Sequence, residues 1–411
     1  MTLRHGDFVA YSGTALRPSA INPAEPLSWG GPLLSLAAKR HRGYDLVLAG
    51  AALALALIGA VLVWAATRDT DGTAYLSRHL LNVAIATALA LFASRLDARL
   101  LRVFGPLVYA ASIGGLLLVF AIGSTINGAH AWIELGGGFE LQPSEFMKLG
   151  LIVGMAVLFA QREAKRTNSG FAGVRLGPPP GTDVLLAIGL IAIPLVLIMK
   201  QPDLGSAMVL AATSFGVLVA ANVRARWTIG LLLVAVGVAV LAVKSGMLAD
   251  YQLKRFLVFT NPTHDLQGAA YNVNQAHIAI ANGGLWGTGL FHGPQTNGGF
   301  VPEQRTDFIF SVAGEEFGLA GGVVIIALVA LICWRGLRIA RAADRTGRLI
   351  AVGIVSWLAF QAFQNVGMNI GLMPVTGLPL PFVSYGGSSM FAQGLAIGLL
   401  LAVRRRSLTS A

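Results

Sequence analysis

Ten apolar segments recur along this chain, and each approaches the length of a helix that crosses a lipid bilayer. One such crossing needs about 20 mostly apolar residues. Only 12% of the 411 residues are charged, whereas a soluble domain carries about 25%. The pattern therefore predicts an all-α polytopic membrane protein with about ten transmembrane helices. The predicted spans are residues 45–66, 79–94, 101–123, 144–160, 182–199, 204–221, 227–243, 308–333, 349–373 and 387–403.

The distribution of Lys and Arg between the loops predicts how these spans are oriented. Cytoplasmic loops carry an excess of basic residues. With the N-terminus inside, 22 of the 30 basic residues fall in inner segments and the other 8 in outer ones. Both termini are therefore expected in the cytoplasm, and the net charge of +11 needs no nucleic acid to explain it. The chain divides into a disordered tail at 1–44, a transmembrane domain at 45–403 and a short tail at 404–411.

One outer segment is much longer than the others. Residues 244–308, between the seventh and eighth spans, form a large extracytoplasmic loop with a helix-like piece near 269–281. Long loops without secondary structure of their own are usually functional. We therefore expect the chemistry of this protein on the outer face.

Ionisable residues concentrate at the outer ends of the spans, where charges at membrane depth are costly and mark functional candidates. Glu145 and Lys148 lie three residues apart, on one face of a predicted helix. Lys200 and Asp203 flank the turn before the sixth span. An acid in the first turn of a helix is also ordinary capping chemistry, so a purely structural role remains an alternative for Asp203 and for the Glu145–Lys148 pair.

The stretch VPEQRTDFIFSVAGEEFG, at 301–318, carries several acids into the eighth span. Thr306 or Asp307 could simply cap the helix that follows. Glu315 and Glu316 lie roughly 12 Å farther along that helix, at ~1.5 Å per residue, so capping does not explain them. They must face a polar cavity or a partner within the bundle. We expect a cavity that is open to the outside and floored by these acids.

The segment before the last span, 373–389, has irregular backbone. Its three prolines cannot lie within a continuous helix, and non-helical backbone at this depth must be satisfied by protein or water. Ser384 with Gly386 and Gly387 could offer backbone N–H donors to an anion at the start of the final helix. A break that merely packs against its neighbours remains an alternative.

Trp132, in the outer segment NGAHAWIELGGG, has two interpretations. A tryptophan at the outer end of a span is most often an interfacial anchor. Sugar rings also stack on aromatic faces, and the sequence leaves both possibilities open. The chain has no phosphate loop and no Cys/His metal cluster, so the sequence predicts no certain cofactor.

Five segments together resemble one family: QPSEFMKL, QPDLGSAM, PEQRTDFIF, VAGEEFG and GLPLPFVSYGGSSM. These segments and the ten spans resemble the SEDS peptidoglycan glycosyltransferases over roughly 45–403, and PVTGLPLPFVSYGG is similar to the RodA branch rather than the FtsW branch. The resemblance implies an enzyme of the bacterial cytoplasmic membrane that polymerises lipid II during cell elongation. Lipid II is a disaccharide-pentapeptide on undecaprenyl pyrophosphate. The implied sugar transfer inverts configuration, and such chemistry needs a carboxylate base.

The resemblance also implies roles for particular residues. The base of the family falls on Asp307, its functional tryptophan on Trp132, and its cavity acid and lysine on Glu145 and Lys148. Arg305 stands where relatives commonly have a histidine, which favours a fixed cation at the diphosphate. A divalent cation could assist the leaving group, although no ligand cluster predicts one. The other predicted substrate-binding residues are Lys200, Asp203, Arg255, Glu315 and Ser384.

The resemblance further implies a partner, a class B penicillin-binding protein of the elongation machinery that crosslinks the new strands. Three alternatives remain: a flippase for lipid-linked precursors, a scaffold with a vestigial cavity, and the division or sporulation branch of the same family. A transporter needs polar groups reachable from both sides near the membrane midplane. Here the acids lie at the outer ends of the spans, which favours the enzyme.

Overall fold

The computed structural model describes residues 44–126, 128–136, 139–168, 177–244 and 269–409. Within them the chain forms twelve helices and one small sheet. The predicted tail at 1–44 therefore lies almost wholly outside the described residues, as does the first part of the outer loop. The helices are α1 (Leu46–Asp71), α2 (Ala74–Ala93), α3 (Ala98–Ile122), α4 (Pro143–Asn168), α5 (Gly181–Lys200), α6 (Leu204–Ala220), α7 (Ala225–Lys244), α8 (Ala269–Gly283), α9 (Pro294–Asn297), α10 (Ile309–Ala342), α11 (Arg345–Asn369) and α12 (Gly387–Thr409).

Ten of these helices coincide with the ten predicted spans. Eight are long and apolar enough to cross a bilayer, while α6 and α7 are apolar over a shorter length. The prediction of an all-α polytopic membrane protein is confirmed. The largest difference in a boundary is at the eighth span, whose helix ends at Ala342 rather than at position 333.

Three helices form the centre of the bundle. In their most apolar windows, 78% of the residues of α4 and of α12 and 67% of those of α11 are buried, against 17% for α3. The helix α12 packs closely on α2, since a Cβ atom at Gly394 or Gly398 would lie 2.4 Å from the carbonyl oxygen of Ala86 or Ala90. Small residues one turn apart allow membrane helices to approach in this way. The central helices are thus shielded from lipid and can carry polar side chains.

Ion pairs join helix ends on one side of the bundle. Arg335, near the end of α10, pairs with Asp45, just before α1, at 2.6 Å. Arg345, at the start of α11, pairs with Glu163, near the end of α4, at 2.8 Å. The predicted topology assigns these four helix ends to the same side of the membrane, as the contacts require.

A small antiparallel sheet joins α3 to α4, and the sequence analysis did not predict it. Its strands are β1 (Ser124–Ile126), β2 (Ala129–Gly136) and β3 (Phe139–Leu141), with β2 in the middle. Trp132 lies on β2, opposite Ser124 of β1. The sheet therefore gives this tryptophan a fixed backbone rather than a loose loop.

The described part of the long outer segment is folded. The helix α8 confirms the helical piece predicted near 269–281, and it packs against α10. The short helix α9 follows. From residue 269 onward, the predicted outer loop therefore packs on the bundle.

The helix α10 is broken at Gly318, where φ is 63° and ψ is −161°. The eighth predicted span therefore consists of two helical pieces that meet at Gly318. This backbone conformation is essentially confined to glycine. The space is also restricted, since a Cβ atom at Gly318 would lie 2.4 Å from the backbone nitrogen of Gly287.

The outer segment supplies the hydrogen bonds that the break removes from α10. The backbone N–H of Leu319 donates to the carbonyl of Gly284 at 2.9 Å, and the N–H of Thr288 donates to the carbonyl of Glu315 at 2.9 Å. Non-helical backbone within a membrane protein is tolerated where other protein groups satisfy it. The break and the outer segment therefore form one unit.

Candidate functional site

Asp307 lies in the turn that precedes α10 and is half-buried. Its backbone carbonyl accepts hydrogen bonds from the Nδ2 atoms of Asn365, at 2.8 Å, and Asn369, at 3.1 Å. The N-cap residue of α10 is Phe308, which no side chain caps, and the Thr306 hydroxyl donates to a nearby carboxylate instead. The N-cap position therefore falls on Phe308 and not on Thr306 or Asp307. The turn is held by α11.

The irregular segment before α12 holds the same turn from another side. The Ser384 hydroxyl donates to the carbonyl of Thr306 at 2.6 Å and accepts from the N–H of Leu380 at 2.8 Å. The N–H of Tyr385 donates to the carbonyl of Arg305 at 2.9 Å. Ser384 is buried, and its hydroxyl both donates and accepts a hydrogen bond within the protein. The predicted break in the helix is confirmed, and the contacts of Ser384 make it a structural link to the Asp307 turn.

Cationic and aromatic side chains gather beside the Asp307 turn. The Arg305 guanidinium stacks over the ring of Tyr75, 4.5 Å from its centroid, and Tyr385 packs edge-on against Tyr75 at 5.1 Å. Burial raises the pKa of Tyr385, an effect partly offset by a hydrogen bond with Arg78 and by the charges of Arg78 and Arg305. The sequence pattern indicated Arg305 but not Arg78. Two permanent cations therefore lie close together here.

The predicted pair of Glu145 and Lys148 is confirmed. The Lys148 ammonium lies 2.7 Å from a carboxylate oxygen of Glu145, and both side chains are almost wholly buried. The ammonium also donates to Gln361 Oε1 at 3.2 Å and lies 4.9 Å from the ring centroid of Trp357. This charge is compensated inside the bundle, because an unpaired ammonium there would be strongly unfavourable.

Asp203 caps α6, as the structural alternative proposed. Its Oδ1 accepts from the N–H of Ser206 at 2.9 Å, and its Oδ2 accepts from Gln142 Nε2 at 2.9 Å. These contacts tie the start of α6 to the start of α4. Lys200, at the end of α5, is exposed. The described contacts do not bring either residue to the Asp307 turn.

Glu315 and Glu316 do not form the floor of an open cavity, so that expectation is wrong. Glu315 is fully buried, and its carboxylate accepts from the N–H groups of Gln295, at 2.9 Å, and Thr296, at 2.8 Å. Glu316 accepts from the N–H of Phe291 at 3.2 Å. Both acids face a protein partner, which was the other possibility. They fix the outer segment against α10.

The remaining predicted residues are less informative. Trp132 is half-buried on β2. Arg255 lies outside the described residues. Over the ranges that the structure covers, no group of three or more His, Cys, Asp or Glu side chains is arranged to hold a metal ion.

Sequence analysis also missed a row of four amides on α11. The row consists of Gln361, Gln364, Asn365 and Asn369. The last three lie three, four and eight residues after Gln361, so all four share one face of the helix. All four are fully buried. Polar side chains inside a membrane helix are functional candidates by default. The signal was present in the segment QAFQNVGMN.

The sequence profile of the FtsW/RodA/SpoVE family, described as a cell cycle protein, matches residues 45–408. A probable peptidoglycan glycosyltransferase FtsW from Geobacter metallireducens is 38% identical over 379 residues, covering 90% of this chain and 96% of that protein. This chain belongs to the FtsW/RodA/SpoVE family. The profile match leaves only the N-terminal tail and the last three residues outside the family region.

Two further relatives extend the likeness to another branch of the family and to a solved fold. The peptidoglycan glycosyltransferase MrdB of Escherichia coli is 34% identical over 352 residues, covering 85% of this chain and 90% of that protein. A chain of a peptidoglycan synthase complex, solved to show structural coordination of polymerization and crosslinking, is 31% identical with a TM-score of 0.71. It matches 88% of this chain and 98% of its own length. The match to the FtsW/RodA/SpoVE fold is thus nearly complete in both directions.

Proposed function

We propose that this protein is a peptidoglycan glycosyltransferase that polymerises lipid II on the outer face of the bacterial cytoplasmic membrane. Membership in the FtsW/RodA/SpoVE family supports the reaction class. The observation that carries the residue assignment is the geometry of the Asp307 turn. A half-buried carboxylate residue stands on backbone that α11 and the segment before α12 hold rigidly.

In the proposed reaction, the 4-hydroxyl of a GlcNAc attacks the anomeric carbon of a MurNAc on a second chain. The new C–O bond forms as the bond to the lipid pyrophosphate breaks, and the configuration at that carbon inverts. Asp307 accepts the proton of the attacking hydroxyl as general base. The electron pair of the broken bond leaves on the pyrophosphate oxygen.

Arg305 and Arg78 are suited to hold the leaving pyrophosphate. Both are permanent cations, and hydrogen bonds from arginine to phosphate are charge-assisted and often bidentate. Lys148 is a weaker candidate for direct contact with the pyrophosphate, because its ammonium already donates hydrogen bonds to Glu145 and Gln361. Trp132 remains our candidate for stacking on a sugar, and Arg255 and Lys200 remain candidates for phosphate contacts. We assign Glu145, Asp203, Glu315 and Ser384 to the support of the site.

The polymerase would work with both termini in the cytoplasm and with a class B penicillin-binding protein as partner. The excess of basic residues in the inner segments supports this orientation. A solved relative belongs to a synthase complex that coordinates polymerization with crosslinking, and this supports the partner. No ligand set in the described residues supports a divalent cation at the leaving group.

We assign the polymerase to cell elongation, on the segment PVTGLPLPFVSYGG. The 38% identity to a division-type relative from Geobacter metallireducens keeps the division role as a second candidate. Complementation separates the two. The gene should restore rod shape to cells depleted of their elongation polymerase and should not restore division to cells depleted of the division polymerase. The reverse pattern would replace the elongation assignment.

The reaction itself is tested with the purified full chain, its cognate penicillin-binding partner and labelled lipid II. Wild type should produce glycan polymer, and Asp307→Asn should lose about 10²- to 10⁴-fold in rate, because asparagine keeps the shape but cannot accept the proton. Equal rates from the two chains would remove Asp307 from the mechanism. Movement of lipid II across vesicle membranes without any polymer would favour the flippase instead.

A further inference from the structure

The amide row of α11, Gln361, Gln364, Asn365 and Asn369, occupies the most protected part of the bundle. All four side chains have no exposed surface. Leucine would fill these positions without the cost of burying an amide, so the amides need a reason to be there. Their hydrogen bonds give one. Every NH₂ group of the row donates to at least one backbone carbonyl.

Two of the four amides converge on a single acceptor. Asn365 Nδ2 donates to the carbonyl of Asp307 at 2.8 Å and to that of Leu378 at 2.8 Å. Asn369 Nδ2 donates to the same Asp307 carbonyl at 3.1 Å and to the carbonyl of Asn365 at 2.9 Å. One carbonyl with two amide donors is fixed in direction. The Asp307 side chain branches from the neighbouring Cα atom, so these bonds fix the position from which the carboxylate projects.

The other two amides hold different backbone. Gln361 Nε2 donates to the carbonyl of Pro379 at 2.8 Å, while its Oε1 accepts from Lys148 at 3.2 Å. Gln364 Nε2 donates to the carbonyl of Pro374 at 2.9 Å. Neither has a described contact with the Asp307 turn. The row therefore contains two residues that touch the turn and a neighbour, Gln364, that matches them in burial and chemistry but does not.

We propose that Asn365 and Asn369 are positioning residues, which act on the reaction by orienting Asp307 through its backbone carbonyl. The proposal rests on the proposed role of Asp307 as general base. A base must lie within hydrogen-bond reach of the proton that it removes. A displacement of about 1 Å can cost about 10²-fold in rate. Substrate affinity should change little, because both amides are fully buried.

The test compares three substitutions to leucine in the full chain with its penicillin-binding partner. Asn365→Leu should lower kcat for polymerisation of lipid II by about 10²-fold, and Asn369→Leu by a smaller factor, since Asn365 still holds the carbonyl. The matched control, Gln364→Leu, removes an equally buried amide from the same helix and should leave kcat within a few-fold of wild type. KM for lipid II should stay within a few-fold of the wild-type value in all three. Thermal midpoints identify any loss that comes from unfolding.

The proposal would be overturned if the three variants, Asn365→Leu, Asn369→Leu and Gln364→Leu, had equal kcat values. It would also be overturned if the two asparagine variants raised KM without lowering kcat. If Asn365→Leu does not fold, Asn369→Leu against Gln364→Leu makes the same comparison, because Asn369→Leu leaves the Leu378 contact intact. Asp307→Asn in the same assay separates the two claims. If that variant keeps its activity, the role of Asp307 fails. If it is inactive while the asparagine variants are normal, only the positioning fails.

Discussion

Two carboxylates of one short stretch, Asp307 and Glu315, have opposite environments. Asp307 is half-buried, and its backbone carbonyl accepts hydrogen bonds from Asn365 and Asn369. Glu315 is fully buried, and it is its side chain that the protein holds. Its two oxygens accept two backbone N–H groups and the hydroxyl of Thr296. A half-buried carboxylate can be reached by a substrate, whereas a fully buried carboxylate that accepts three hydrogen bonds supports the structure.

The comparison predicts that substituting Glu315 mainly lowers stability, whereas substituting Asp307 mainly lowers activity. Glu315→Gln should lower the stability of the fold by about 2–3 kcal/mol, because the glutamine NH₂ group cannot accept from the N–H donors that it would face. Asp307→Asn should lose polymerase activity with little change in stability. Thermal midpoints and proteolysis of the outer segment measure the difference, with the exposed Glu134→Gln as control. A stable but inactive Glu315→Gln chain would instead place this carboxylate at the substrate.

The contrast also shows what the sequence could and could not predict. Ten apolar runs were enough to locate the spans, since hydrophobic length determines membrane crossing regardless of tertiary contacts. The i,i+3 spacing of Glu145 and Lys148 was enough to predict their pair. In both cases the information lies within one helix.

Contacts between distant segments could not be predicted in the same way. Glu315 is 19 residues from Thr296, and Asp307 is 58 residues from Asn365. From the sequence, Glu315 and Glu316 were expected to face a cavity, and only the packing of the outer segment shows that they bind its backbone. Arg78 was missed for the same reason, because its partner Tyr385 comes from a distant loop.

The break in α10 gives a second way to test the unit that Glu315 holds together. Gly318→Ala should destabilise the chain by about 1–3 kcal/mol, since its backbone conformation is one that alanine rarely adopts. Its Cβ would also meet the backbone nitrogen of Gly287 at 2.4 Å. Hydrogen exchange at the N–H groups of Leu319 and Thr288 should rise together. Gly230→Ala, on a helix face with no atom within 4 Å of the new Cβ, is the matched control and should be neutral.

His277 on α8 provides the smallest expected effect, and it separates the outer segment from the Asp307 turn by pH. Burial lowers the pKa of His277 from its ordinary value of 6.5. A histidine with a lowered pKa in the folded state binds fewer protons than the unfolded chain does, so stability is complete above about pH 6.5 and declines as the pH falls. His277 is exposed overall, but one side of its ring lies against Gly371, where a Cβ would be 2.8 Å from its Cε1 atom. The protection factors of the α8 amides, corrected for the pH dependence of intrinsic exchange, should therefore fall modestly from about pH 7.5 to about pH 5.5. His277→Asn should remove this dependence while leaving exchange near Asp307 unchanged. An equal response at both places would mean that the two regions open as one.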